Sequence, residues 1–173
     1  MQTFARYDGL LLALLWTLSF ACYIIGFGIP TVSIIALVLA LATPFFALHR
    51  LRVYRDYGRD GIISFRRAWA YVFFSFFYAS LLFALVQFAY FAYLDKGYFV
   101  HMIQQLIDAP ENQQVLSQYA TKESFDQMIR DIQAVRPIDL ALSMLQANVF
   151  VSVLLGIPMA AVVCRSKAKA TNK

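Results

Sequence analysis

Charged side chains are scarce in this chain, and its long apolar segments have none. The sequence of 173 residues is 61% hydrophobic and only 14% charged, whereas about a quarter of a soluble domain is usually charged. No Asp, Glu, Lys or Arg occurs in residues 9–27, 31–48, 68–94 or 140–164. Each segment is long enough for a helix to cross a bilayer. We therefore expect an all-α membrane protein with four transmembrane helices in a single polytopic domain, residues 1–173.

Motifs for common catalytic and cofactor sites are also missing. There is no glycine-rich phosphate loop, no Cys-x-x-Cys pair and no His-Glu-x-x-His sequence. His49 and His101 are predicted on opposite sides of the membrane, so they cannot share a metal ion. Cys22 and Cys164 are expected near opposite ends of the helices, which argues against a disulfide between them. The sequence thus favours a protein that is not an enzyme, with no catalytic residue, metal, cofactor or nucleic-acid partner.

The same lack of charge disfavours ion-coupled transport. Pumps and ion-coupled transporters generally place an ionisable side chain at membrane depth. Here every Asp, Glu, Lys, Arg and His is expected at or beyond the end of a helix. The chain also has no convincing inverted repeat. A transporter therefore ranks third among the functional hypotheses.

The distribution of charge predicts which side of the membrane each loop faces. Residues 95–139 carry seven acidic and four basic side chains, a net charge of −3. The rest of the chain carries eleven basic and three acidic side chains, a net charge of +8, including Lys167, Lys169 and Lys173 of the tail. Short basic loops stay in the cytoplasm. Both termini and the linker 49–67 are therefore predicted inside, and the acidic loop outside.

Six arginines are concentrated in the linker between the second and third segments. They are Arg50, Arg52, Arg55, Arg59, Arg66 and Arg67. Such a cluster can dock lipid phosphates or an acidic partner. It can also be an orientation signal whose long side chains reach the headgroup region, and we favour this explanation. The start of the linker can continue the second helix or form a short amphipathic helix, and Gly58 is a candidate helix stop.

The acidic loop has two apolar stripes at helical spacing. They are Phe99, Ile103, Leu106 and Ile107, and then Phe125, Met128, Ile129, Ile132 and Val135. The break between them falls at residues 108–112, and Thr121 can cap the second helix. We expect two or three short helices. Covering the bundle is the favoured role of their stripes, while contact with lipid headgroups or with a partner stays open.

Neutral polar residues are predicted within the membrane. Gln87, Gln146 and Asn148 should lie near one level, with Tyr23 and Ser33 at a similar depth. They could form a small outward-facing pocket for a lipid headgroup or a sugar-like group. They could also form interhelical hydrogen bonds, worth roughly 0.6 kcal/mol each, and we favour that reading.

The fourth segment carries a stripe of small residues. Ser152, Gly156 and Ala160 follow one another at four-residue spacing, which lets a neighbouring helix approach closely. Pro158 can kink this helix. The neighbour could belong to the same chain or to a second subunit of a homo-oligomer.

Several of these features together resemble a known family. The run Gly-Ile-Ile-Ser-Phe-Arg-Arg-Ala-Trp from Gly61 to Trp69 leads into an aromatic helix, an insert of about forty residues follows, and a glycine-containing last helix ends in a lysine tail. Nearly the whole chain resembles the four-helix inner-membrane proteins of Bacteroides-type bacteria grouped as domain of unknown function 4199. That family has no established activity, so the resemblance implies no catalytic residue.

The resemblance also suggests a partner and a location. Members of the family tend to be encoded near a membrane-associated family-2 glycosyltransferase, which implies an accessory role in envelope glycan or lipid synthesis at the bacterial inner membrane. Our first hypothesis is therefore a non-enzymatic accessory or scaffold subunit that contacts membrane lipids and docks a partner on its Arg-rich face. The alternative is a lipid-binding or lipid-modifying protein. Its site would comprise the outer loop and the polar residues Gln87, Gln146 and Asn148, which are expected at one depth in the membrane.

Overall fold

The structure is a computed structural model that describes residues 1–119 and 121–165. Helices joined by turns and loops form the described chain, and its β-structure is limited to one isolated bridge. The elements, in chain order, are α1 (Gln2–Gly26), α2 (Pro30–Gly58), α3 (Phe65–Ala89), a π-helical turn (Tyr90–Leu94), α4 (Tyr98–Asp108), α5 (Pro110–Leu116), α6 (Lys122–Ala134) and α7 (Pro137–Val163). The predicted all-α fold is confirmed.

Four of these elements are long and apolar enough to cross a membrane. They are α1, α2, α3 together with the π-helical turn, and α7. Each coincides with one of the four apolar segments of the sequence and extends beyond it at one end or at both. By the length and composition of its helices, the chain is a multi-pass membrane protein.

The prediction that every charged residue lies at or beyond a helix end is wrong. Helix α1 begins at Gln2, so Asp8 lies within it, and α2 continues past its apolar segment through Arg50 and Arg55. Helical hydrogen bonding does not need apolar side chains, so a helix continues until a residue breaks it. In α2 that residue is Gly58, as the sequence predicted.

The described chain forms two compact units. The first comprises Met1–Leu85 and Ser143–Lys173, and the second comprises Val86–Leu142. The tail lysines Lys167, Lys169 and Lys173 lie outside the described residues.

In the first unit, α1 and α2 form an antiparallel hairpin. Pro30 occupies the first turn of α2, where its missing N–H costs no helical hydrogen bond. Farther along, the Ser19 hydroxyl donates to the Ala36 carbonyl oxygen at 2.9 Å, and Trp16 Nε1 donates to Thr43 Oγ1 at 3.1 Å. These side-chain hydrogen bonds join two apolar helices whose surfaces lipid would solvate equally well.

Helix α3 packs against α1 in the same unit. The ring of Trp16 meets the rings of Phe76 and Phe83 edge-on, each with a centroid separation of 5.7 Å. Gly9 allows the two helices to approach closely. A Cβ built at this position would lie 2.9 Å from the Ser75 carbonyl oxygen and 2.7 Å from Tyr78 Cβ, both too short for a real contact. The absence of a side chain at Gly9 therefore sets the distance between α1 and α3.

The small-residue stripe of α7 faces α3 of the same chain. Ser152, Gly156 and Ala160 are all buried. A Cβ at Gly156 would lie 3.0 Å from the indole ring of Trp69, whose Nε1 donates to the Val153 carbonyl oxygen at 3.3 Å. The stripe therefore has an intramolecular partner, and a homo-oligomer stays a prediction that does not rest on it.

A short antiparallel bridge connects the α2–α3 loop to the end of α7. Ile63 and Arg165 exchange two backbone hydrogen bonds, at 3.1 and 3.0 Å. Ile63 is buried, with 1% of its surface exposed. The loop that carries Arg59 is thus fixed to the end of α7.

The second unit contains the three short helices α4, α5 and α6. Helix α4 packs against both of the others. Its first turn is held by Asp95, whose carboxylate accepts the N–H groups of Gly97 and Phe99 at 3.1 and 3.0 Å. Thr121 caps α6 as predicted, since its Oγ1 accepts the Ser124 N–H at 3.3 Å. The expectation of two or three short helices in the insert is confirmed.

We predict that Gly9→Ala lowers the free energy of unfolding by about 1–3 kcal/mol, because the added methyl group collides with backbone atoms of α3. Gly156→Ala is the matched control and should cost less, since its nearest neighbour is a Trp69 ring that can move. Denaturant titration in detergent measures both. A Gly9→Ala protein as stable as the wild type would disprove the close approach of α1 and α3.

Candidate functional site

A buried ion pair joins the first two helices. The carboxylate of Asp8 on α1 is 3% exposed, and Arg50 on α2 donates to its Oδ1 through Nε at 2.6 Å and approaches it through Nη2 at 2.5 Å. The Tyr71 hydroxyl of α3 donates to Oδ2 of the same carboxylate. One carboxylate therefore holds three helices together, and both of its oxygens are used.

Aromatic packing surrounds this ion pair. Tyr71 is 1% exposed, and its ring stacks on that of Tyr54 with the centroids 4.3 Å apart and the planes 2° from parallel. Tyr54 also meets the ring of Phe4 at 5.5 Å. The Tyr71 ring, whose hydroxyl donates to Asp8, is therefore held in an aromatic cluster with Tyr54 and Phe4.

Two of the six linker arginines bond within the protein. Arg50 is paired with Asp8, and Arg55 is buried. Arg55 donates to both oxygens of Asp56, at 2.7 and 3.0 Å, and its Nη1 approaches the Val163 carbonyl oxygen at 3.5 Å, at the end of α7. Both side chains therefore stabilise the fold and are not available to dock a partner or a phosphate.

The other four arginines are arranged differently. Arg52, Arg66 and Arg67 are exposed, and Arg59 is half-buried. Arg59, Arg66 and Arg67 line one cavity of about 480 Å³ together with Met1, Tyr54, Ser64 and Ala70. The buried Nε of Arg59 has no hydrogen-bond partner among residues 1–119 and 121–165. We call this cavity the arginine pocket.

A larger, open cavity is lined by residues of the four long helices of the first unit. Its volume is about 610 Å³, and its walls are mainly apolar, with Phe20, Phe76, Phe83 and Leu155 among the lining residues. Tyr23, Ser33, Thr43 and Asn148 supply polar atoms to the same wall. A long apolar space with a few polar groups is the usual form of a site for a hydrophobic ligand. We call it the apolar cavity.

The polar residues predicted at one membrane level have different surroundings. Asn148 and Tyr23 both line the apolar cavity. Gln146, in contrast, is exposed on the surface of α7. Gln87 belongs to the second unit and is 5% exposed, and its Oε1 accepts no hydrogen bond from the described residues. A common level for the three amides stays a prediction.

The insert contains a smaller cavity of mixed polarity. Its volume is about 360 Å³, and Asp95, His101, Gln104 and Gln133 contribute polar atoms to its wall. Asp95 already accepts two backbone N–H groups at the start of α4, so its role is to hold the helix end. Within the described residues, no group of three or more His, Cys, Asp or Glu side chains could hold a metal ion.

Sequence reasoning missed the role of Asp8. The sequence did contain a signal for this role. Asp8 directly precedes the first apolar segment, and Arg6 is the only other charged side chain in the N-terminal region. Only the pairing of α1 with α2 shows that Arg50, which is 42 residues away, is its partner. The arginine pocket was missed for the same reason, because the six linker arginines look equivalent in sequence.

These features define a multi-pass helical membrane protein with a basic pocket at one end of its first unit. Residues 7–165 match the family described as protein of unknown function, DUF4199. The chain belongs to this family, and the resemblance seen in the sequence is confirmed. No curated protein and no solved structure shows significant similarity to the chain.

We predict that Asp8→Ala lowers the free energy of unfolding by about 3–5 kcal/mol, because it leaves the Arg50 guanidinium inside the protein without a counter-charge. The 21% exposure of the Arg50 side chain points to the lower half of that range. Tyr71→Phe removes a single hydrogen bond to a charged group and should cost about 1.5–3 kcal/mol.

Arg136→Ala is the control for this prediction. It removes the Arg136–Asp139 ion pair, whose side chains are 76% and 44% exposed, so solvent screens the pair and the effect should be much smaller. Unfolding in detergent, followed by circular dichroism, compares the variants. Equal losses for Asp8→Ala and Arg136→Ala would show that the Asp8 pair does not organise the bundle.

Proposed function

We propose that this protein is a non-enzymatic accessory subunit of a membrane assembly, and that it docks an anionic partner surface on the exposed arginines Arg52, Arg66 and Arg67. The observation that carries the proposal is the division of the linker arginines. Arg50 is paired with the buried carboxylate of Asp8, and Arg55, itself buried, is paired with the exposed carboxylate of Asp56. These three are exposed, with no ion pair among residues 1–119 and 121–165.

A structural role for the buried charges supports the non-enzymatic part of the proposal. A general acid or base needs a lone pair or proton that can reach a substrate. The Asp8 carboxylate instead accepts from Arg50 and from Tyr71, and it is 3% exposed. The most deeply buried carboxylate of the first unit is therefore occupied by contacts that hold helices together.

The direction of insertion follows from charge. Short basic loops remain in the cytoplasm, so the proposal places the exposed arginines on the cytoplasmic side and the acidic insert, residues 95–139, on the other side. The partner we propose is a membrane-associated glycosyltransferase, in keeping with the gene neighbourhood of the family. The accessory role would then belong to envelope glycan or lipid synthesis in the bacterial inner membrane.

We expect the combined variant Arg52→Glu, Arg66→Glu and Arg67→Glu to lose its partner when membranes are solubilised in mild detergent, because acidic side chains would repel an acidic surface. Arg50 and Arg55 are left unchanged, since their ion pairs maintain the fold. Arg130→Glu, on the exposed face of α6, is the control and should retain the partner. Copurification followed by mass spectrometry is the measurement.

Charge reversal can also invert a membrane protein, so orientation must be measured in the same variants. The exposed Cys164 lies beside the bridge residue Arg165 and reports the side on which this end of the chain lies. In a Cys22→Ser background, an impermeant maleimide should label it in inside-out vesicles only. A triple variant that keeps both its orientation and its partner would rule out this docking surface.

The apolar cavity favours a second candidate function, which is lipid binding. Its volume of about 610 Å³ and its mainly apolar wall suit a hydrocarbon chain, and Asn148, Tyr23 and Ser33 could bind a polar group of the same molecule. This candidate keeps the outward-facing lipid site that the sequence suggested as an alternative function. It does not need Gln146, which is exposed.

Filling the cavity tests this candidate. Ala40→Trp places a large ring in the cavity wall and should reduce the lipid retained after purification by about tenfold, a change of roughly 1.4 kcal/mol in binding. Ala161→Trp, at an exposed position of α7 outside the cavity lining, should leave lipid retention unchanged. Native mass spectrometry counts the bound lipids. Equal retention by both variants would contradict a specific site.

A further inference from the structure

The arginine pocket brings three cationic side chains into one concavity. Arg59, Arg66 and Arg67 share its wall with the hydroxyl-bearing side chains of Tyr54 and Ser64, and no Asp or Glu of the described residues lines it. Like charges in one cavity repel one another, so such an arrangement costs free energy unless an anion is bound. The composition of the wall therefore indicates a negatively charged ligand.

The guanidinium of Arg59 supplies a second, independent observation. Its Nε atom is buried and has no acceptor among residues 1–119 and 121–165. Buried N–H groups in proteins are nearly always hydrogen-bonded, and an exception needs a physical explanation. Arg50 and Arg55 show the usual arrangement, since their Nε atoms bond to Asp8 and Asp56 at 2.6 and 2.7 Å. Arg59 has the same buried N–H donor, but the described residues supply no acceptor for it.

The pocket is held in shape by backbone bonds on both sides of Arg59. The Gly61 N–H donates to the Arg55 carbonyl oxygen at 2.9 Å, and the Ile62 N–H donates to that of Arg59 at 3.0 Å. Two further hydrogen bonds fix Ile63 to Arg165. The loop between α2 and α3 is therefore built before any ligand binds, which lowers the entropy lost on binding.

The start of α3 adds to the positive potential. Arg66 and Arg67 lie in its first turn, directly after Phe65, where free backbone N–H groups and the helix dipole also favour an anion. The planar fork of an arginine matches two oxygens of a phosphate, and several such forks can bind different oxygens of one group. Phosphate is the anion that this set of donors fits best.

The position of the pocket indicates where the phosphate comes from. Its lining lies at the ends of three candidate membrane spans. It comprises Met1, which precedes α1, Tyr54 of α2 and the first turns of α3 up to Ala70. The ends of membrane spans lie at the level of the lipid headgroups, where phosphates are concentrated. Tyr54 and Ala70 give the pocket an apolar wall next to its cations, which suits a headgroup that remains attached to its lipid.

We propose that the arginine pocket binds the phosphate group of an anionic phospholipid through Arg59, Arg66 and Arg67. This proposal goes beyond partner docking and shares Arg66 and Arg67 with it. It does not depend on docking, because it is tested on the purified protein and its lipid alone. It also gives Arg52 a different role from Arg59, Arg66 and Arg67. Arg52 is exposed at the same end of the first unit, but it does not line the pocket.

The test uses the full-length protein in nanodiscs of phosphatidylcholine that contain a minor fraction of phosphatidylglycerol. Native mass spectrometry measures how many phosphatidylglycerol molecules remain bound when the protein is released. Arg59→Gln, and separately the pair Arg66→Gln and Arg67→Gln, should weaken retention by about tenfold. Arg52→Gln is the matched control, since it removes one exposed arginine of the same end, and should stay within about twofold of the wild type.

Two further measurements keep the result interpretable. Arg59→Lys keeps the charge but loses the planar fork, so an intermediate loss supports phosphate recognition by the guanidinium. Thermal unfolding identifies misfolded variants. If Arg59→Gln fails to fold, the double variant Arg66→Gln and Arg67→Gln tests the proposal. Arg66 and Arg67 are exposed and form no ion pair within the described chain, so their replacement should not unfold the protein.

Each outcome has a definite meaning. Selective retention of phosphatidylglycerol that is lost in the pocket variants supports a lipid phosphate. Inorganic phosphate binding in detergent, with no lipid preference and with the same loss in the variants, supports the phosphate site with free phosphate as its ligand. If Arg52→Gln loses as much bound phosphatidylglycerol as Arg59→Gln, the binding depends only on surface charge and the proposal is overturned. The proposal is also overturned if the protein binds neither phosphatidylglycerol nor inorganic phosphate.

Discussion

The buried carboxylate of Asp8 is the constraint on which the first unit depends. It accepts from Arg50 of α2 and from Tyr71 of α3, so a single side chain of α1 fixes the positions of two other helices. Apolar contacts alone would not do this in a bilayer, because lipid tails solvate a leucine about as well as another helix does. A buried charge has no such alternative, since it is very unfavourable without its partner. The hydrogen bonds between α1 and α2 and the close contact at Gly9 complete a bundle whose register this ion pair sets.

The same physics separates two classes of arginine at one end of the first unit. Arg50 and Arg55 have carboxylate partners and contribute to the fold. Arg59, Arg66 and Arg67 have none within the described chain and meet in one pocket instead. An excess of positive charge at a membrane surface orients a protein, and that requirement is met wherever the side chains point. Their convergence on a cavity with an unpaired buried donor goes beyond what orientation requires, and it is the reason to assign a ligand to this end.

Much of the fold could be predicted because its causes are local. Four uncharged apolar runs predict four long helices, Gly58 ends α2 and Thr121 caps α6. The break predicted at residues 108–112 is shorter in the structure, because α4 continues to Asp108 and α5 begins at Pro110. The site could be predicted only in part. The six arginines were predicted as one docking cluster, but Arg50 is paired with Asp8 through a long-range contact, and Arg55 is buried beside the end of α7. Docking by the other arginines stays a prediction. The level of Gln87, Gln146 and Asn148 was inferred from helix registers alone, and the structure shows Gln146 exposed and Asn148 beside a cavity.

The sequence by itself determined the class of molecule, the number of long helices, the short helices of the insert and the separation of its charges, because hydropathy and helix signals act over a few neighbouring residues. Only the tertiary structure decided which charges are neutralised, which helix meets the small-residue stripe of α7, and where cavities form. Those outcomes depend on the distance and direction between residues far apart in the chain, such as the 42 positions between Asp8 and Arg50. Electrostatic pairing and steric fit are properties of that geometry, so no local pattern in the sequence contains them.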